Sequence, residues 1–79
     1  MITPAQCRAA RGLLDWTQEE LAKAAQVSAI TIRGFEKEAS SPRRATLAAL
    51  RQALEAAGVE FTFEGGVQPG VRQRKIGSI

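Results

Sequence analysis

Two short helix-forming runs, separated by a Gln-Val-Ser turn at residues 26–28, constrain this chain more than any other feature. The first run follows Thr17, where Thr-Gln-Glu-Glu has capping-box spacing and places two carboxylates at the positive end of the helix dipole. The second run follows Ser28, another N-cap residue, and ends before Ser40-Ser41-Pro42. Isolated helices this short are unstable in water, so the pair needs further helices to pack against.

The remaining patterns predict four helices in all. The first begins at Pro4, after the cap Thr3, and ends near residue 12 or 13. The second and third cover 18–25 and 29–37, and the fourth begins at Thr46 or just before it and ends near Gly58. The residues expected to face the core are Cys7, Ala9 and Leu13 in the first helix, Leu21, Ala22 and Ala25 in the second, Ile32 and Phe35 in the third, and Leu47, Leu50, Leu54 and Ala57 in the fourth.

After Gly58 the hydrophobic period changes. Residues 59–64 alternate apolar and polar side chains, which predicts a strand, and residues 65–79 are rich in turn and basic residues, which we interpret as a flexible basic tail. Within the chain, the strand can pair only with residues around 67–72, which Pro69 and Gly70 interrupt. We therefore expect the strand to pair with a second copy of itself, giving a homodimer whose interface contains Val59, Phe61 and Phe63.

Composition limits the classes of function. The chain has 79 residues, one cysteine and no histidine, and no apolar run is long enough to span a membrane. We therefore expect one small cytoplasmic domain that is no enzyme and has no metal site, cofactor or membrane association. Residues 1–64 carry eight basic and eight acidic residues, so the net charge of +3 comes from the last fifteen. The high pI is consequently no evidence that the folded part attracts polyanions.

The helix pair resembles a known family. The chain has the signature spacing of the lambda-repressor-like (XRE/Cro-type) helix-turn-helix family over about residues 4–58, at Gln18, Ala22, Ala25, Val27, Ile32, Phe35 and Pro42. The resemblance implies a mainly α fold: a compact four-helix DNA-binding domain at residues 1–58, whose third helix enters the major groove of double-stranded DNA. Two departures are Gln26, at a turn position where the family usually has glycine, and the strand at 59–64, which replaces a fifth helix.

The expected DNA contacts follow from the face of the third helix opposite Ile32 and Phe35, and from what the resemblance implies. The residues expected to contact bases are Ala29, Ile30, Arg33 and Gly34. The first two cannot hydrogen-bond and suit thymine methyl groups, whereas arginine can bind guanine through two hydrogen bonds. The residues expected to contact phosphates are Gln18, Thr31, Lys37, Ser40, Arg43 and Arg44.

These features favour a sequence-specific DNA-binding transcriptional regulator, which we expect to be a repressor. One alternative is an antitoxin-like autoregulator that also binds a protein partner, either a toxin or an effector. The other is a protein-interaction module with the same fold and weak DNA affinity, which the apolar residues at 29 and 30 would suit.

Overall fold

The computed structural model describes residues 1–62 and 70–73. Four helices, α1 (Pro4–Leu14), α2 (Gln18–Ala25), α3 (Ala29–Glu36) and α4 (Arg44–Ala56), are followed by the strands β1 (Val59–Thr62) and β2 (Gly70–Gln73). The predicted fold class, mainly α with four helices and a strand after the fourth, is confirmed. Within these ranges no helix is long and apolar enough to cross a bilayer.

The helix starts are set by side-chain caps. Thr3 and Gln6 form a reciprocal capping box at α1, and Thr17 and Glu20 form another at α2. The Ser28 hydroxyl accepts hydrogen bonds from the first amides of α3. The predicted starts of these three helices are confirmed. Helix α4 begins at Arg44, within the start predicted at Thr46 or just before it, and has no side-chain cap.

Gln26 adopts a left-handed backbone at the turn position where the family usually has glycine. Gln26 ends α2 with φ 57° and ψ 44°, and its N–H donates to the Ala22 carbonyl. Asp15 and Glu38 adopt the same region after α1 and α3. This conformation is disfavoured for residues with a Cβ. The amides that follow two of these residues close the helix ends: Trp16 donates to the Arg11 carbonyl at 2.9 Å and Val27 to the Ala22 carbonyl at 3.0 Å.

The core lies where the four helices meet, and its fully buried members include Leu21, Ile32, Leu50 and Leu54. The predicted inner faces of α2 and α3 are confirmed, as is the Leu47, Leu50 and Leu54 stripe of α4.

The inner face predicted for α1 needs correction. Cys7 is buried as expected, but Ala9 is exposed and Leu13 is 39% exposed. The buried residues are instead Gln6, Cys7 and Ala10. The inner face of α1 therefore passes through residues 6, 7 and 10, rather than through 9 and 13.

The C-terminal part forms a hairpin rather than a lone strand and a tail. Strand β1 pairs antiparallel with β2 of the same chain, with Phe61 opposite Val71 and Thr62 opposite Gly70. The pairing within the chain is therefore the one observed, and Gly70–Gln73 form a strand rather than part of the predicted tail. Gly70 enables the pairing, since a Cβ there would lie 3.0 Å from Thr62 Oγ1. Pairing with a second copy stays a prediction.

The hairpin packs on the helices through residues that were predicted to form a dimer interface. Val59 is 1% exposed in the core, and Phe61 packs partly buried against it. Buried Gln6 donates from Nε2 to the carbonyls of Thr62, at 3.4 Å, and Gly70, at 3.0 Å. Phe63 lies outside the described residues. Val59 and Phe61 therefore contribute to the core of their own chain.

Candidate nucleic-acid interface

Helix α3 separates a buried stripe from an exposed one. Ile32, Phe35 and Glu36 are buried, whereas Ile30, Arg33 and Lys37 are exposed. The three exposed residues are spaced by three and four positions, so they lie along one face of the helix. This face, which we call the α3 stripe, carries two cations and one apolar side chain.

The other predicted base-contacting residues lie beside the α3 stripe. Ala29, the first residue of α3, is half-buried. Gly34 is also half-buried, and a Cβ built on it would lie 2.7 Å from Ser40 Oγ. The carbonyl of Gly34 accepts from the Ala39 and Ser40 amides, at 2.8 and 3.3 Å. A side chain at position 34 would therefore require the Ser40 hydroxyl to move.

Basic side chains around α3 have no acidic partner among the described residues, unlike several basic residues elsewhere. Arg11, Arg51 and Arg72 form ion pairs with Glu36, Glu55 and Glu60. No such pair involves the exposed residues Arg33, Lys37, Arg43 and Arg44. The one exposed acid between positions 29 and 44 is Glu38. The segment from α3 to the start of α4 is therefore locally cationic although residues 1–64 sum to zero.

The start of α2 contributes a second group of polar donors. The first-turn amides of Gln18 and Glu19 have no acceptor within the helix, while the Glu20 amide donates to Thr17 Oγ1 at 3.0 Å. Such amides, together with the positive end of the helix dipole, favour anions. The acidic Glu19 and Glu20 side chains at the same turn reduce that preference. Gln18 Nε2 donates to Glu36 Oε1 at 3.1 Å, which ties this turn to α3.

Behind the α3 stripe lies a buried ion pair that the sequence analysis missed. Arg11 of α1 donates from Nε to Glu36 Oε2 at 2.8 Å and from Nη2 to Oε1 at 2.6 Å. The Cys7 thiol donates to the same carboxylate at 3.1 Å. Glu36 follows Ile32 by four positions, so helical spacing alone placed it on the inner face. Acidic side chains are seldom buried unless they are paired, and the partner of Glu36 lies on another helix.

The surrounding donors determine the charge state of this carboxylate. Burial raises the pKa of Glu36, but the hydrogen bonds from Arg11, Gln18 and Cys7 outweigh burial and hold the pKa below its ordinary value of 4.5. Burial, then the hydrogen bond to Glu36, raise the pKa of the Cys7 thiol far above its ordinary value. At neutral pH Glu36 is therefore ionised and Cys7 is a protonated donor. The thiol is a packed structural group, since a nucleophilic cysteine needs a lowered pKa.

The remaining predicted phosphate-contacting residues follow the α3 stripe in sequence. Thr31 is half-buried beside the Ser28 cap, and Ser40 is exposed in the loop between α3 and α4. Arg43 and Arg44 are exposed at the start of α4. Among the residues that the structure describes, no cluster of three or more potential metal ligands occurs.

Comparison with known proteins agrees with this geometry. The sequence model described as Helix-turn-helix matches residues 8–61, which include α2, the turn, α3 and α4. A search of curated proteins found no match to the chain.

Proposed function

Because the chain belongs to the XRE/lambda-repressor-like helix-turn-helix family of DNA-binding regulators, we propose that it binds a specific operator and represses transcription there. In this proposal α3 enters the major groove with the α3 stripe facing the base edges. Arg33 hydrogen-bonds to guanine and Ile30 makes apolar contact. Repression results from occupancy, since a domain bound over a promoter blocks the polymerase.

One observation carries the proposal: the exposed cations of residues 29–44 are unpaired and surround an exposed helix face. A cation that already has an acidic neighbour must give up that interaction to bind a phosphate. Arg33, Lys37, Arg43 and Arg44 have no such cost among the described residues. They are therefore available to bind DNA, displacing counterions from the phosphates.

We further propose that two copies bind one operator, with half-sites about 34 Å apart on one face of the duplex. The two-fold symmetry of such a complex requires an inverted repeat in the DNA. In each copy β1 pairs with β2 of its own chain. Two copies can occupy the operator in this form, without pairing of β1 between chains.

The proposal is tested by titrating the protein against the DNA upstream of its encoding gene. Fluorescence anisotropy at several salt concentrations, with a random duplex of equal length, separates specific from non-specific affinity. We expect tighter binding to one upstream fragment, a negative salt slope on both duplexes, and a footprint that is an inverted repeat. If all upstream fragments bind no better than random DNA, the operator proposal fails.

A second candidate, supported by the exposed Ile30 side chain, is a protein-binding module or antitoxin-like autoregulator. An apolar side chain 75% exposed on a helix face is also suited to a protein interface. For this function, a protein partner should protect the α3 stripe from hydrogen exchange or cross-linking. The partner and DNA should then compete if both use the stripe. Partner binding without specific DNA affinity would favour the interaction module.

A further inference from the structure

Ile30 is exposed to an extent that folding does not explain. It is 75% exposed, more than Met1 at 66% and Leu13 at 39%, the other exposed large hydrophobic residues of the described chain. It is the second residue of α3, where its backbone amide is capped by Ser28. Isoleucine at an exposed helical position also lowers helix propensity relative to alanine or leucine, because its branched side chain loses rotamer freedom. The side chain therefore gains little burial and no propensity from its place in the fold.

The surroundings of Ile30 indicate which chemistry could cover it. Arg33 and Lys37 continue the same exposed face, and the only acid within α3, Glu36, is buried and paired with Arg11. A partner must therefore present negative charge around a small apolar group. The major groove of DNA does so, because phosphates border it and the pyrimidine C5-methyl group is its apolar feature.

We propose that Ile30 reads the C5-methyl group of one pyrimidine in each half-site. The proposal rests on the proposed function, since it requires α3 in the major groove. The contact depends on the methyl group rather than on the base that carries it. Thymine and 5-methylcytosine both satisfy it, while uracil and unmodified cytosine do not. Operator affinity then responds to cytosine methylation wherever a cytosine occupies this position.

The spacing of Ile30 and Arg33 along α3 determines how far apart their two base contacts lie on the DNA. Ile30 and Arg33 are separated by three residues, about 4.5 Å along the helix axis. Successive base pairs are about 3.4 Å apart. The pyrimidine read by Ile30 therefore lies within about two base pairs of the guanine bound by Arg33. A methyl effect should appear at one position in each half-site and nowhere else in the footprint.

The test removes single methyl groups from the DNA. In the operator fragment found by the titration above, each thymine of the footprint is replaced in turn by uracil, and affinity is measured by anisotropy. We expect one symmetry-related position to weaken binding about four-fold per half-site, which corresponds to the burial of one methylene-sized group. At that position, a 5-methylcytosine–guanine pair should bind about four-fold more tightly than a cytosine–guanine pair.

Protein variants assign the effect to Ile30. Ile30→Ala, which should fold because the side chain is exposed, is expected to bind thymine and uracil operators equally, while Ile30→Val should retain most of the difference. Arg33→Ala should lose affinity and keep the methyl effect, which makes it a matched control on the same face. A methyl effect that persists in Ile30→Ala would show that its source is DNA shape or another residue such as Ala29, and would overturn the proposal.

Two further outcomes separate this inference from the proposed function. Specific binding with an inverted-repeat footprint, but with no thymine sensitive to methyl removal, would overturn the inference and leave the operator proposal intact. Absence of specific binding would overturn both.

Discussion

Arg33 and Arg72 are both exposed arginines, but their surroundings differ. Arg33 lies on the α3 stripe without an acidic partner, whereas Arg72 pairs with Glu60 across the hairpin at 2.6 Å. Arg33→Ala should weaken specific binding by about 1–3 kcal/mol and relax the preference for guanine at one position. Arg72→Ala removes the same charge and should change specific affinity by much less. Anisotropy titrations on operator and random DNA measure both. Equal losses on the two duplexes for Arg33→Ala would remove it from the base-contacting residues.

At Gly34, the contact with a single residue determines how a substitution changes stability. An added Cβ would approach Ser40 Oγ to 2.7 Å, but Ser40 Cβ only to 3.6 Å, so a rotation of the serine hydroxyl relieves the contact. In a Ser40→Ala background, Gly34→Ala should raise the free energy of unfolding by about 0.5–1 kcal/mol through helix propensity. In the wild-type background the gain should be smaller.

Urea denaturation of the wild type, Gly34→Ala, Ser40→Ala and the double variant gives the coupling energy between positions 34 and 40. Anisotropy on the same proteins gives their DNA affinity. If the Gly34→Ala, Ser40→Ala protein is more stable than Ser40→Ala yet binds the operator less tightly than Ser40→Ala does, Gly34 approaches DNA closely, as the sequence analysis expected.

At the scale of elements, the buried ion pair joins α1, α2 and α3 and makes their packing sensitive to acid. A carboxyl group with a lowered pKa in the folded state contributes stability that is complete above its unfolded pKa and is lost as the pH falls through the folded value. The wild-type free energy of unfolding should therefore decrease below about pH 4.5, the ordinary value of Glu36. Glu36→Gln should lower stability at pH 7 by about 3 kcal/mol, because Arg11 loses its buried partner.

Glu36→Gln should also make the free energy of unfolding depend less on pH below about pH 4.5, which is the acid limb of its pH dependence. Glu55→Gln is the control, since Glu55 lies on the half-exposed side of α4 in an i,i+4 pair that contributes little. Urea titrations from pH 3 to 7 provide the measurement. An unchanged acid limb in Glu36→Gln would assign acid sensitivity to other carboxylates.

Gln6 joins two other elements, α1 and the hairpin. Its side chain is 2% exposed and donates to Thr62 and Gly70 while accepting from the Thr3 amide. Gln6→Ala should cost about 1–3 kcal/mol, because buried carbonyls lose their donor. Hydrogen exchange should increase most in β1 and β2. Gln52→Ala, on the exposed side of α4, should leave hairpin protection unchanged. Uniformly faster exchange in Gln6→Ala would mean that the hairpin does not open independently.

The sequence was sufficient to predict helix starts, which depend on neighbouring residues. It was not sufficient to predict the burial of residues whose partners are far away in the chain. Thr3, Thr17 and Ser28 cap amides two or three residues away, so the helix starts were readable. The burial of Gln6 and Glu36 depends on partners far along the chain. Gly70 lies 64 positions from Gln6, and Arg11 lies 25 positions from Glu36. Without those partners, polar residues are correctly assigned to the surface.

The candidate site was predictable to a similar degree. Helical periodicity placed Ile30 and Arg33 opposite Ile32 and Phe35, and the structure exposes both. Periodicity did not reveal that Gly34 packs against Ser40 or that Gln18 donates to Glu36, since a loop and a neighbouring helix create those contacts.

At the scale of the whole molecule, the residues after β2 add positive charge to that near α3. Arg74 and Lys75 follow β2 and lie outside the described residues. Ending the chain after Gln73 keeps the hairpin and removes both cations. The salt slope of DNA binding should decrease in magnitude by at most about 1.8, or 0.9 for each phosphate no longer neutralised, while the footprint stays unchanged. The full-length Arg74→Gln, Lys75→Gln variant controls for the loss of residues 76–79. A shifted footprint would show that these residues fix register.

The division of α3 into a buried and an exposed stripe has a consequence for how this protein can change over generations. Ile32, Phe35 and Glu36 hold the helix in place, and none of them is exposed. Ile30 and Arg33 face solvent and contribute little to folding, so substitutions there leave the scaffold intact. Under the proposed function, duplicated copies of the gene would therefore acquire different operators through one or two codons, without first passing through an unstable intermediate.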